Sequence, residues 1–293
     1  MGTLNRTIRR YRELNLSDWG AALTYYSVLS IFPAAIVLVA ILGVFGSHPE
    51  TTNALLRIVD ELGPSSAVET FRSPIESVVR NKGGAGALLG VGLLGALWSA
   101  SGYVGAFMRA SNVTYQVEQR RFWRNTPLRI AITVVMVLLL AIVAMAIVLT
   151  GPLAEAVGKV IGLSSVAVTV WNIAKWPVLV VLVMAMISVL FYLAPNVRQP
   201  GGYRWVTPGA IVAVLVWIVA SVGFGIYVAF FGSYNKTYGS LGAVIIFLVW
   251  LYISNNALLL GVLINAERER QRELERGLPA EDQLQVARRD ART

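Results

Sequence analysis

Six long stretches of the chain contain no Asp, Glu, Lys, Arg or His, at roughly 20–46, 83–108, 130–151, 177–194, 205–231 and 238–264. A helix needs about 20 mostly apolar residues to cross a hydrocarbon core ~30 Å thick. Five stretches meet that length directly, and the fourth reaches it when extended back to residue 172. The expected fold class is therefore all-α: a polytopic membrane bundle of six transmembrane helices. The interior of such a bundle holds no ionisable group for acid–base chemistry, which excludes most enzymatic explanations. Function has to be sought in topology, in uncharged polar residues and in the loops.

The rest of the sequence agrees with a membrane protein. The chain is 56% hydrophobic and only 14% charged, against about 25% charged in soluble domains. Cysteine is absent, so disulfides and thiolate metal sites are excluded. The first apolar segment is longer than the ~7–15 residues of a signal-peptide core, so it is expected to be retained as a span. The net charge of +9 is unevenly distributed. Eighteen Arg residues lie before span one, in the connections after spans two and four, and after span six, against seven Arg or Lys in the other connections. This positive-inside asymmetry places both termini in the cytoplasm. The basic excess thus orients the protein and attracts anionic lipid, and no nucleic-acid partner is expected.

Three regions are then expected along the chain. Residues 1–19 form a basic amphipathic cytoplasmic segment, with Leu4, Ile8, Tyr11 and Leu14 near helical spacing. Residues 20–266 form the six-span domain. Its long outer connection, 47–82, carries two amphipathic helices: Leu55, Ile58, Val59 and Leu62 mark the first, and Val68, Phe71, Ile75, Val78 and Val79 the second. These could cap a central cavity or pack as a passive loop. Residues 267–293 form a charged cytoplasmic tail, beginning as a solvated helix that stops at Gly277 and Pro279 and ending in disorder.

Span two is rich in glycine and serine at four-residue spacing, as in Gly86 and Gly90 or Gly95 and Ser99. Such spacing lets helix backbones approach closely in lipid. Pro33 interrupts span one and predicts a kink. Gly239 and Gly242 are further candidate hinges.

Conventional reaction chemistry is sparse. His48 has no partner ligands at metal-site spacing, the carboxylates form no two-metal pattern, and no phosphate-cradling glycine loop is present. No metal or cofactor is expected. The informative polar residues are Tyr25, Tyr26, Ser30, Trp98, Ser99, Tyr238, Ser240, Asn255 and Asn256. They either line a substrate path or bond one helix to the next, since buried amides in a bilayer find partners. Arg121, Arg124 and Arg204 are candidates for attracting an anionic headgroup.

These same residues carry a resemblance. Ala21-Ala22-Leu23-Thr24-Tyr25-Tyr26-Ser27-Val28-Leu29-Ser30-Ile31-Phe32-Pro33 is similar to the opening signature of the YihY/BrkB family of bacterial inner-membrane proteins. Trp98-Ser99 with Asn112, Arg121-Phe122-Trp123-Arg124, and Tyr192, Pro195, Tyr203, Pro208-Gly209-Ala210 and Trp217 resemble its middle blocks. Tyr238-Gly239-Ser240-Leu241-Gly242, Trp250-Leu251-Tyr252, Gly261 and Asn265-Ala266-Glu267 resemble its end. Many relatives carry a glutamate near the end of span six, where this chain has Leu263. A proton-coupled role for that carboxylate therefore does not transfer. The resemblance implies a six-span inner-membrane protein, and some members carry a ribonuclease label that the residues here do not support.

The combined expectation is a non-enzymatic transporter or flippase-like protein for a lipid or amphiphilic envelope component, without ATPase machinery. Its expected partners are membrane lipids, an anionic or lipid-linked substrate among them, and further copies of itself. A non-transporting scaffold for envelope proteins is the alternative, with a membrane-bound RNA-processing nuclease behind it.

Overall fold

A computed structural model describes residues 3–45, 86–148, 165–199, 202–230 and 240–290. Seven helices run through them: α1 (Thr3–Glu13), α2 (Leu16–Phe45), α3 (Gly86–Thr114), α4 (Phe122–Val148), α5 (Ser165–Leu193), α6 (Pro208–Phe230) and α7 (Ser240–Glu275). Helices α2 to α7 fall one on each charge-free stretch. Among the described residues, four segments are long and apolar enough to cross a membrane: Phe122–Val143, Ile173–Leu193, Pro208–Val228 and Val244–Glu275. No more than 28% of any of their apolar windows is buried. A soluble core helix buries its apolar surface nearly all round, so these helices instead present theirs to an apolar solvent.

Helix boundaries follow local chemistry. Asn15 takes a left-handed φ of 47° between α1 and α2, a conformation that asparagine tolerates better than most residues. Gly277 has φ 76°, and Leu278 N–H donates to Glu273 O while Gly277 N–H donates to Leu274 O. That pair of bonds is a Schellman stop to α7, the expected stop realised at Gly277. Helix α2 runs unbroken through Pro33. The expected outer helices of 47–82, His48, Tyr238 and Gly239 lie outside the described residues. Ser240 and Gly242 are described only as backbone in the first turn of α7.

The chain divides into two compact units. One comprises Met1–Ser30, Ser101–Ile132 and Ile187–Thr293, the other Ile31–Ala100 and Thr133–Met186. In the second unit Ala96 and Val137 form a small buried cluster with Leu97 against it.

The first unit is built on the α6–α7 hairpin. Gly209 and Gly261 bring the two backbones together: a Cβ built on Gly209 would lie 2.1 Å from Gly261 O. Further along, Trp217 Nε1 donates to Ser254 Oγ (3.0 Å) and Trp250 Nε1 to Ser221 Oγ (3.2 Å), with the two indoles edge to face. The polar end of α7 is not a solvated helix end. Glu267, Glu269, Arg270 and Glu273 are all buried there, because α1 and the tail pack around them. Arg6 bonds Gln271 and faces Glu267, and Arg10 donates to Glu281 O and Asp282 O (3.0 Å each).

The tail residues expected to be disordered fold back as far as 290. Ala280 and Leu284 are buried, Glu273 accepts from Gln285 N–H (2.9 Å), and Val197 pairs with Arg288 in an antiparallel bridge. A chain terminated after Gly277 loses this cover and is expected to be less stable by about 2–4 kcal/mol. A thermal melt of the purified protein measures this, and a midpoint equal to that of the full chain would show the tail to be idle.

Candidate functional site

The connection from α5 to α6 (residues 194–207) builds a pocket at the polar end of the first unit. Arg120 secures its start. This buried guanidinium donates to Leu193 O (3.1 Å), Ala194 O (2.8 Å) and Pro195 O (2.5 Å), taking up carbonyls that the end of α5 leaves unpaired. Burial and the nearby Arg289 push its pKa down to about 10, so it stays charged at neutral pH. Asn112 Oδ1 accepts from Asn196 N–H (2.7 Å) and fixes the next residue. Gly202 N–H then donates to Gln199 O (3.1 Å), with Gly202 at φ 64°, a backbone setting that suits glycine.

Thr207 caps α6, accepting from Ala210 N–H (3.2 Å) and from Asn265 Nδ2 (3.1 Å). Asn265 Oδ1 in turn accepts from Gly209 N–H (2.9 Å), so this one amide ties the start of α6 to α7.

The opposite wall is one face of α7. Asn265, Arg268, Glu269 and Arg272 recur at three- and four-residue steps and line the pocket together. Arg204 joins them from the connection, and Tyr115 closes the floor. The cavity measures about 70 Å³, several times the ~10–15 Å³ that one ordered water needs. Three guanidinium groups and one carboxylate share it. Arg272 and Glu269 are paired (3.2 Å), and Glu269 is buried whereas Arg204 and Arg268 are exposed. Burial and the Glu269 charge raise the Tyr115 pKa well above its usual value, so its hydroxyl remains a donor.

Aromatic rings gather at the end of α5 and along the same connection. Tyr192, Tyr203 and Trp205 follow one another edge to face at 5.4 and 5.7 Å. Trp205 is 74% exposed. At the start of α4, Phe122 and Trp123 are exposed between Arg121 and Arg124. Exposed aromatics beside arginines at the ends of apolar helices are the usual composition of a membrane–water interface.

Among the described residues, the other sequence candidates do not line this pocket. Asn255 is buried: its Nδ2 donates to Thr24 Oγ1 and Ser27 Oγ (3.3 Å each), and its Oδ1 accepts from Tyr103 (3.0 Å). Asn256 accepts from the Tyr11 hydroxyl and donates to Tyr252 O (2.7 Å). Both amides join helix to helix. Tyr25 faces outward, and Tyr26 meets it edge to face and lies under Arg109. Ser30 is buried with no hydrogen-bond partner among the described residues. Trp98 and Ser99 are exposed on the second unit. Arg121 and Arg124 are exposed, and of the three headgroup candidates only Arg204 reaches the pocket. Leu263 is wholly buried. Among the described residues, no group of three or more His, Cys, Asp or Glu is placed to hold a metal ion.

Sequence reasoning missed Arg268, Arg272 and Glu269 as pocket residues, and Arg120 and Arg270 as buried anchors. The step pattern 265, 268, 269, 272 was the available signal, but it was indistinguishable from a charged solvent face.

Comparison with known proteins gives a consistent set of relatives. A family model described as "Virulence factor BrkB" matches residues 7–285. The ribonuclease-like protein YfkH of Bacillus subtilis is 30% identical over 275 residues, 94% of this chain and 98% of that protein. UPF0761 membrane proteins of Rhodospirillum centenum and Alkalilimnicola ehrlichii are 26% and 28% identical over 91% and 86% of this chain. The chain spans 57% and 55% of their lengths, little more than half. No solved structure matches.

Proposed function

The chain belongs to the BrkB family of membrane proteins, and from that premise we propose that it handles lipids from the inner leaflet of a bacterial cytoplasmic membrane. In this reading it spans the membrane six times with both termini in the cytoplasm. It acts as a transporter or flippase-like protein for a lipid or amphiphilic envelope component, and it is neither an enzyme nor ATP-driven by itself. One observation carries the reading: the arginine-lined pocket lies at the polar end of the apolar helix α7, on a connection that also carries the exposed Trp205. A headgroup held in it keeps its chains in the bilayer. The test is reconstitution in liposomes with labelled phospholipids or a lipid-linked glycan. Movement across the bilayer supports the proposal, and no movement with or without an ion gradient defeats it.

The helix-joining bonds of Asn255 and Asn256 favour a second reading, a non-transporting scaffold for envelope proteins. Asn255→Leu is expected to cost about 1–2 kcal/mol of stability by leaving Thr24, Ser27 and Tyr103 without their shared partner. If lipid movement survives that loss unchanged in the folded fraction, the amides act as structure and not as a path. Copurification of a stable partner, with no lipid movement in the wild type, is the scaffold outcome. The nuclease alternative predicts metal-dependent RNA cleavage in a preparation free of contaminating nucleases.

A further inference from the structure

We infer that the α5–α6/α7 pocket is a binding site for a phosphomonoester at the end of a membrane lipid, a ligand class more specific than anionic lipid in general. The inference rests on the lipid-handling reading above and specifies its ligand.

The first argument is charge. Arg204, Arg268 and Arg272 line the pocket with a single carboxylate, Glu269, which is paired to Arg272. The lining therefore carries a net charge of +2 from these four groups. A phosphomonoester carries about −1.5 to −2 near pH 7, with a second pKa near 6. A phosphodiester headgroup such as phosphatidylglycerol carries only one negative charge.

The second argument is donor geometry. Among the described residues, the Arg204 and Arg268 guanidiniums have no protein acceptor to compete with a ligand, and they offer planar, paired N–H donors suited to phosphate oxygens. Thr207 Oγ1 already accepts two hydrogen bonds, which leaves its own proton to donate into the cavity that it lines. The backbone N–H groups of Gly209 and Ala210 are taken by Asn265 and Thr207. The start of α6 therefore contributes its dipole field and not its donors.

The third argument is position. Pro208 and Val197 give the pocket an apolar side, and Trp205 stands exposed on the same connection. A phosphate seated among the arginines leaves its glycerol or isoprenoid carbon at interface depth. Buried Arg120 and the tail bridge at Val197 hold the start of the connection, and Asn265 holds its end at Thr207, so both ends of the wall are fixed before any ligand arrives.

The experiment is native mass spectrometry of the full-length protein released from phosphatidylcholine nanodiscs doped with either phosphatidic acid or phosphatidylglycerol. Phosphatidic acid is expected to be retained about tenfold better, and that preference is expected to fade as pH falls through about 6, where the phosphate loses its second charge. The double variant Arg204→Gln/Arg268→Gln is expected to lose the preference. Arg121→Gln/Arg124→Gln removes the same charge outside the pocket and is expected to keep it. Equal retention of the two lipids, or equal loss in both double variants, overturns the inference. If inorganic phosphate at matched concentration displaces phosphatidic acid completely, the ligand is a soluble phosphate and the lipid assignment falls. The two readings fail separately. Lipid movement in liposomes without phosphatidic acid preference removes the ligand assignment alone, whereas preference without movement removes transport and leaves the site.

Discussion

Replacing Arg270 by alanine is expected to cost about 3–5 kcal/mol of stability, because it leaves a buried charge and several buried acceptors without their donor. The Arg270 side chain is 2% exposed and makes four polar contacts from three elements. Its Nε donates to Glu267 (3.1 Å), one terminal nitrogen to Ala280 O and Glu281 O, and the other to Gln116 Oε1 (3.0 Å). Without it, Glu267 keeps, among the described residues, only Arg6 at 3.6 Å. Arg270→Lys preserves the charge but not the planar fork, so it should recover only part of the loss. A double variant with Glu267→Met and Arg270→Met should be more stable than Arg270→Met alone, since it removes the stranded carboxylate as well. Melting of the purified variants in one detergent measures all four. An Arg270→Ala midpoint within a degree of wild type would mean that the clasp contributes nothing.

The second large effect is steric. Gly209→Ala or Gly261→Ala is expected to destabilise the α6–α7 hairpin by about 3 kcal/mol or more. A Cβ on Gly209 would lie 2.1 Å from Gly261 O, and one on Gly261 would lie 2.5 Å from Gly209 O and 2.8 Å from Ala213 Cβ. Backbone oxygen cannot rotate away, so the helices must separate. Their separation stretches the Asn265 bridge to Gly209 and Thr207 as well. Gly223 and Gly225 in the same helix have nothing within 4 Å of a built Cβ. Alanine at either is expected to be neutral or stabilising by up to about 1 kcal/mol. If Gly209→Ala melts like Gly223→Ala, the close approach does not exist in the folded protein.

These two sites also show what could be read from the sequence. The helices were legible because lipid-exposed segments must be long, apolar and free of charge, and that requirement is written locally. The hairpin's tryptophans, glycines and Asn265 stood out within the family signature. Their pairing did not, because nothing local says which serine meets which indole. In the sequence the Glu267–Arg270 pair has the i,i+3 spacing of any surface pair on a solvated helix, worth about a few tenths of a kcal/mol. Its burial depends on α1, which is distant in sequence, and on residues 280–285, which follow closely but carry no strong hydrophobic signal. The pocket was half legible. Arg204 was recognisable as an interfacial cation in a loop, whereas Arg268 and Arg272 were hidden within a run of alternating charges whose inward face appears only once the α5–α6 connection is laid against it.

The clasp between α1 and the tail has a consequence for biosynthesis. Arg10 reaches carbonyls that lie 271 and 272 positions later in the chain. At about 5–20 residues per second, translation takes roughly 14–54 s to cover that distance. Throughout that interval α1 is already made and its partners are not, so a basic amphipathic helix must wait on the membrane surface. A fusion joined directly after the tail delays or crowds the same closure. Tags placed beyond a flexible spacer, or at the other terminus, should therefore give higher folded yields than a short tag fused to residue 293.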